Sequence, residues 1–449
     1  PLVEQVVQDY VDGGIINNTT HFYYESSSHN KVTKISHQLS NNEYETKKYT
    51  YVNDFPSLLS TSCSDLFINS IKYMQEKGIN KLIENVNLVG TVSTSKITSG
   101  KLFLYQKINC LNSTIANLCR NEYEIVARNS ILESDFAYCT VFQCSLNYDN
   151  HYILSKSNDL FDSRGNVLQL HDRQSYTSFK FNRENIVNSI FINSLNSYSA
   201  QGNDCGYLDF ESGQESASSE LNDYWTVPTN SLTDNLPHTG KYCGIIPQST
   251  GSIVFGNSRE FLPTNQYQKF KFSAWIKTST SFAISAGNLI IELYEMNGGI
   301  KTILPTDNTF QTEISSTNNE WVLKELNFDL GKYKNDHGYQ GRQIILKCFF
   351  TNNDNSNPIM IDDVRFQPYY SKCNSFTFDE KCGKQNSVSD ERSKPIFYTY
   401  DFYGRKLLTC NFDHSIIESR SYNDNDYEFC NSEEIVAVRR SDCGVTTSP

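Results

Sequence analysis

The chain has 449 residues, a formal charge of −12, 20% charged and 13% aromatic residues; that length suggests two to four domains, and that composition builds cores and excludes a disordered chain. No run of clustered Lys and Arg is present, which excludes phosphate-backbone binding as a main role, and no uninterrupted apolar stretch approaches the roughly 18 residues of a membrane-spanning helix. Tyr (28) and Phe (27) far outnumber Met (3), the balance of a β-dominated extracellular chain.

The N-terminus, Pro1-Leu2-Val3-Glu4, lacks the basic and apolar regions of a signal peptide. The chain begins and stops abruptly, so the expectation is an excerpt of a longer secreted polypeptide. Its 13 Cys include three close pairs, Cys110 with Cys119, Cys139 with Cys144, and Cys373 with Cys382, whose spacing suits local disulfides under oxidising conditions. Buried free thiols are the alternative. No Cys-x-x-Cys pair is present, which argues against a zinc ribbon or a redox motif, and the odd count leaves one thiol free or paired with another chain.

In chain order, residues 1–60 read as strand hairpins: Phe22-Tyr23-Tyr24 leads to a turn at His29-Asn30, Val32 and Ile35 return, and a second pass runs from Tyr44 to Tyr49-Thr50-Tyr51-Val52. From Ser64 to Lys77 the spacing of Phe67, Ile68, Ile71 and Met74 predicts one amphipathic helix, with Ser64 as cap candidate before Asp65 and Gly78 at its C-terminal end. Strands resume at 86–94, 102–108, 123–126 and 136–142. A further unit runs from Tyr152-Ile153-Leu154 to a turn at Asp162-Ser163-Arg164-Gly165-Asn166 and an apolar exit at Val167-Leu168.

Residues 206–368 contain seven or more short strands separated by turn residues, which predicts a β-sandwich of roughly 160 residues. In the 270–276 strand, Phe270, Phe272, Ala274 and Ile276 form the core face, which sends Trp275 outward beside Lys271, Ser273 and Lys277. An outward Trp is a candidate sugar platform, because an indole face suits the apolar face of a pyranose; cover by a loop or neighbouring domain is the plainer reading. In the last strand, Met360, Val364 and Phe366 share a face with Asp362 while Asp363 points the other way, so the two carboxylates cannot form a catalytic pair. An inward Asp362 requires backbone donors or a cation. The early Phe210-Glu211, the Ser273-Ala274-Trp275 strand and the final Ile361-Asp362-Asp363-Val364 strand resemble the jelly-roll carbohydrate-binding-module superfamily. That resemblance implies a structural Ca²⁺ held by Glu211 and Asp362, and Ca²⁺ favours such oxygen ligands.

Residues 369–449 contain Tyr398-Thr399-Tyr400-Asp401-Phe402-Tyr403-Gly404-Arg405-Lys406-Leu407-Leu408, alternation into and out of an Asp-x-x-Gly turn. It resembles the YD repeat of bacterial Rhs proteins and animal teneurins. The 152–170 unit is the second match, and the order of hairpins, short helix, sandwich and YD unit is similar to large Rhs-like surface proteins of Bacteroidetes-type bacteria. The expected architecture is therefore mainly β: YD-repeat-like hairpin arrays at 1–205 and 369–449 flanking a jelly-roll sandwich at 206–368, with one short helix at 64–77.

No Gly-x-Ser-x-Gly, His-Glu-x-x-His, phosphate loop or dinucleotide fingerprint is present, and the 8 His are scattered singly. The leading reading is a non-enzymatic extracellular structural or adhesive segment of a large surface or filament protein, partnered by neighbouring repeats or other copies of the chain. The alternatives are a carbohydrate-binding adhesin acting through the sandwich, with Trp275 at its site, and the shell of a toxin-delivery Rhs protein.

Overall fold

A computed structural model describes residues 4–11, 14–39, 41–59, 63–91, 93–109, 115–125, 131–142, 144–182, 186–193, 204–212, 223–263, 269–305, 307–379 and 383–422. The chain is mainly β and divides into two compact units, Pro1–Gln174 and Ser175–Pro449. This division differs from the three regions expected, because strands Tyr176–Phe181 and Val187–Asn193 pair with each other and the second of them with Lys372–Phe378.

In the first unit, strands Glu4–Val11, Gly14–Tyr23, Lys34–Gln38, Tyr44–Tyr51, Leu82–Gly90, Lys96–Asn109, Ile115–Ile125, Tyr152–Phe161 and Val167–Asp172 each pair antiparallel with the one before. Helix Leu66–Glu76 closes one side of this meander. Its N-cap is Asp65, one residue later than the candidate Ser64, because the Asp65 carboxylate accepts from both Phe67 N (2.8 Å) and Ile68 N (2.9 Å). Gly78, at φ +65°, ends it in the left-handed region. The helix buries Ile68, Ile71 and Met74 in one core with Val52, Val86, Leu102 and Leu104.

Cys63 and Cys144 form a disulfide across 81 residues. Of the three short-range pairings expected from spacing, Cys139 with Cys144 is corrected, and each of the other two includes a residue outside the described ones. Cys144 is taken by Cys63, and Cys139 is a buried free thiol. Cys119 is a free thiol opposite Tyr105, four residues past the Asn109–Ile115 pair that ends its hairpin; Cys110 lies outside the described residues. Cys373 is a buried free thiol at the end of its strand remote from the 379–384 turn, and Cys382 also lies outside the described residues. Two hairpin residues meet only when equally distant from the turn, and with Phe142 opposite Ser145 and Thr140 opposite Asn147, Cys139 and Cys144 are not.

The second unit contains two sheets face to face. One joins Leu232–Thr233, Cys243–Ile246, Ile359–Pro368, Lys269–Lys277 and Val322–Asp329, with Gly206–Leu208 also on Ile359–Pro368. The other joins Val254–Phe261, Ile344–Asn352 and Gly287–Asn297, with Ile300–Ile303 and Thr309–Ile314 on the last. Phe270, Phe272, Ala274 and Ile276 meet Leu289, Ile291, Leu293, Leu346 and Phe350 between them, all fully buried. The core face expected for the 270–276 strand is therefore the observed one. A second helix, Leu330–His337, was not expected; Asp329 caps it through Lys332 N at 2.8 Å and Gly338 ends it at φ +70°. Its sequence, Leu-Gly-Lys-Tyr-Lys-Asn-Asp-His, offers only Leu330 and Tyr333 to the core, too little periodicity to announce it.

A third, hairpin sheet runs Tyr176–Phe181, Val187–Asn193, Lys372–Phe378, Gln385–Ser389, Pro395–Tyr400, Lys406–Cys410 and Ile416–Ser419 in antiparallel succession. Three of its turns share one construction. Asp390, Asp401 and Asn411 each donate N–H to the carbonyl four residues on and accept from the residue three on, while their side chains accept further backbone N–H groups. The fourth residue (Ser393, Gly404, His414) takes φ of +59°, +73° and +61°. Asp162 to Asn166 in the first unit has the same form, with Gly165 at +91°. An Asx residue followed by a left-handed residue three later is a hairpin turn with a bulge.

The hairpin sheet covers the outer face of the first sandwich sheet through polar contacts. The Arg365 guanidinium, 2% exposed, donates to Ser393 Oγ (2.7 Å), Asp390 O (3.2 Å) and Ser375 Oγ (2.7 Å). Gln367 Nε2 donates to Ser371 O at 2.9 Å.

Candidate functional site

Between the sandwich sheet and the hairpin sheet lies a cleft of about 740 Å³, within the range of small-ligand sites. Its sandwich wall is built by strand Lys269–Lys277, the 234–240 loop and the start of strand Val322–Asp329. Its other wall is built by Pro395–Tyr400, Lys406–Cys410 and the 411–415 turn.

Trp275 faces outward, as its strand parity requires, and is half-buried. It is not a bare platform. The His238 ring stacks on it with centroids 4.0 Å apart and planes at 20°, and Trp275 Nε1 donates to Ser393 O of the hairpin sheet at 3.0 Å. Trp321 meets His238 edge-on at 5.7 Å, donates Nε1 to Leu236 O at 3.2 Å, and has Lys277 Nζ over its ring at 5.8 Å. Across the cleft, Phe397 stacks on His414 at 5.0 Å and 14°, and Phe412 is 43% exposed. Aromatic faces with polar edges on both walls suit a flat, amphipathic ligand.

Asp362 and Asp363 require a correction. Register on strand Lys269–Lys277 shifts between Ser273 and Trp275, so Asp362 stands opposite Trp275 and Arg365 opposite Ser273. Asp363 occupies φ +48°, marking a β-bulge. Directly opposite residues share a face. Asp362 therefore lies on the outer side with Trp275, while Ile359, Ile361, Val364 and Phe366 face the core and Met360 does not. Both carboxylates are buried beneath the 238–242 loop. Asp362 Oδ2 accepts from His238 N (2.9 Å) and Thr239 N (3.0 Å), and its Oδ1 from Asp363 N (2.8 Å). Asp363 takes the Tyr207 hydroxyl at 2.6 Å, Thr239 Oγ1 at 3.1 Å and His238 Nδ1 at 2.8 Å. Burial alone would raise Asp363; the His238 contact, with the charge of Arg365 and the Tyr207 hydroxyl, holds it below the usual carboxylate range. Burial and then the neighbouring Asp363 push Asp362 well up. Burial lowers the pKa of His238 despite Asp363, so its ring presents to Trp275 as a neutral imidazole at neutral pH.

Glu211 approaches the same loop, its Oε1 accepting from Lys241 N (2.8 Å) and Tyr242 N (2.9 Å). Gly240 lies between, at φ +63°, and a Cβ there would stand 2.3 Å from Glu211 Oε1. The pair named as Ca²⁺ ligands thus converges, but on one loop whose backbone N–H groups occupy Asp362 Oδ2 and Glu211 Oε1, while Asp363 N of the strand occupies Asp362 Oδ1. These N–H groups direct their positive ends at the oxygens a cation would need, and among the described residues no three acidic, His or Cys groups cluster as a metal site. The residues present fit loop anchoring better than cation binding.

Trp321, Phe397, Phe412 and His414 were missed as site residues. Strand parity singles out Trp275, but the others come together only when segments some 80–180 residues from the 234–240 loop fold against it, which no local pattern records.

No family model matches the chain, and no curated protein does. Solved structures similar to it include the CBM22-1 xylan-binding domain of Paenibacillus barcinonensis Xyn10C (15% identity, 38% of this chain and 97% of that one, TM-score 0.22). Others are CBM28, a carbohydrate-binding module specific for non-crystalline cellulose (14%, 36% and 92%, 0.22), and the mannan-recognising module TmCBM27 (14%, 36% and 95%, 0.20). The sandwich itself is established by this chain's own two sheets.

Proposed function

We propose that the second unit binds carbohydrate in the cleft between its sandwich and its hairpin sheet, without turning it over, as part of an extracellular protein. The observation that carries this reading is the two-walled aromatic cleft: Trp321 backed by His238 and Trp275 on one side, and Phe397, Phe412 and His414 on the other. Ring faces suit the C–H faces of pyranoses, and Asn319, Asn386, Asp234 and Glu320 offer acceptors or donors to hydroxyls along the same cleft. The Cys63–Cys144 disulfide supports an oxidising compartment. Glu211 and Asp362 serve in this reading by pinning the 238–242 loop that carries His238.

Affinity electrophoresis of the full chain through gels containing soluble polysaccharides tests the proposal. Retardation by at least one glycan, lost in Trp321→Ala and kept in a distant surface variant such as Lys332→Ala, is the expected result. No retardation by any glycan, or retardation indifferent to Trp321→Ala, removes the cleft as a sugar site. Failure to release reducing ends from the bound glycan is the accompanying expectation for a non-catalytic protein.

A structural role in a repeat assembly is a second reading, favoured by the recurrent Asx-led turns at Asp162, Asp390, Asp401 and Asn411. Hairpins of this kind bury little alone and gain stability from neighbours. In this reading strand Ile416–Ser419, with Ile416 43% and Ile417 59% exposed, pairs with a further strand. Concentration-dependent self-association in sedimentation, lost in Ile417→Lys, is its expected signature.

A further inference from the structure

The cleft's rim carries unequal charge. Asp234, Glu320 and Asp413 line it and are exposed, while Lys277 is the one lysine among its lining residues and no arginine lines it. Lys277 is directed over the Trp321 ring, and among the described residues neither it nor the three carboxylates makes a side-chain ion pair. Asp413 is fixed as an acceptor: the Ser415 N–H reaches its Oδ1 at 3.0 Å. The floor adds no cation that could reach a ligand. Thr239, Asn386 and Cys410 are nearly fully buried there, Arg365 is committed to Ser393, Asp390 and Ser375, and His238 is a neutral ring against Trp275.

Resting on the carbohydrate reading, we infer that the cleft selects uncharged glycans and rejects anionic ones, with the Asp234, Glu320 and Asp413 carboxylates acting as hydroxyl acceptors and as the repulsive element. A neutral sugar ring stacks on Trp321 and donates its hydroxyls to these carboxylates, which make stronger hydrogen bonds than neutral acceptors do. A uronate or sulfated sugar in the same place meets three like charges against two ammonium groups, Lys277 over Trp321 and Lys394, whose Nζ lies 4.4 Å from the Phe412 ring centroid. Discrimination of this kind comes from placing a repulsive group as much as from favourable contacts. The surroundings reinforce it, since the whole chain carries a formal charge of −12 and long-range attraction of polyanions is absent.

The test compares xyloglucan, galactomannan and mixed-linkage β-glucan with polygalacturonate and alginate as probes, each against the intact chain at low salt and at physiological salt. The expected result is binding of a neutral probe that depends on Trp321 and changes little with salt, and at least tenfold weaker binding of both anionic probes at low salt. The double variant Glu320→Gln, Asp413→Asn carries both changes on exposed side chains, so its fold is secure. It raises binding of the anionic probes at least threefold. If polygalacturonate or alginate binds the wild-type chain as well as any neutral probe and Trp321→Ala abolishes that binding, the cleft remains a sugar site and the charge inference is overturned. The inference is likewise overturned if the double variant still excludes the anionic probes. Binding of no probe of either class overturns the carbohydrate reading, and the selectivity falls with it.

Discussion

Glu84 sits on strand Leu82–Gly90 with 1% exposure, in the core that helix Leu66–Glu76 closes. Its Oε1 accepts the Tyr152 hydroxyl at 2.9 Å and its Oε2 accepts Cys139 N at 3.0 Å. Burial, against these hydrogen bonds, pushes its carboxyl from the ordinary 4.5 up to about 7. The folded chain therefore holds this proton more tightly than the unfolded one. The associated stability is fully present below pH 4.5 and is lost as pH rises through about 7. At about 1.4 kcal/mol per pH unit, the whole effect is of the order of 3 kcal/mol. Glu84→Gln removes the titration and keeps the geometry, since the amide oxygen can accept from Cys139 N and the amide N–H can donate to the Tyr152 oxygen. Urea denaturation followed by far-UV circular dichroism between pH 5 and 8.5 should show the wild type losing roughly 2–3 kcal/mol relative to Glu84→Gln, with background titrations common to both cancelling in the difference. Parallel pH profiles for the two proteins would show that Glu84 is ionised throughout and that the buried, proton-holding account of it is wrong.

Gly240→Ala would force a Cβ against Glu211 at φ +63°; a loss of about 1–3 kcal/mol, read as a lowered Tm, should come with weaker glycan retardation, because the loop carrying His238 shifts. Non-reducing peptide mapping should recover one cross-linked peptide joining Cys63 to Cys144 and alkylate Cys119, Cys139 and Cys373 once the chain is unfolded. Cys144→Ser should destabilise the first unit by up to about 4–5 kcal/mol, the chain-entropy value for a loop of 81 residues, measured by denaturant midpoint. Excess EDTA or added Ca²⁺ should leave the melting temperature unchanged, since backbone N–H groups already engage Glu211 and Asp362; a shift of several degrees would reinstate the cation.

What local pattern encodes was legible, and what depends on register or long-range assembly was not. Alternation gave the buried face of strand Lys269–Lys277 and the outward Trp275, because parity on a regular strand needs no tertiary information. The helix at Leu66–Glu76 followed from its spacing and Gly78, and the Asp401-x-x-Gly404 turn from its left-handed requirement. Parity failed at Asp362 and Asp363, where a bulge adds one residue and reverses every inference across it. Cys139 and Cys144 misled because nearness in sequence is not nearness in a hairpin, where only residues equidistant from the turn meet. Trp321 and His414 carried no signal at all: one immediately precedes a strand and the other fills the left-handed position of a turn.

A crystal structure of the chain with the tightest-binding neutral oligosaccharide tests the central claim most directly. The account predicts a pyranose ring against Trp321 inside the cleft, with hydroxyls toward Glu320, Asp234 or Asp413 and Phe412 closing the far side. A sugar bound elsewhere on the sandwich, with the cleft empty of it, would contradict the account.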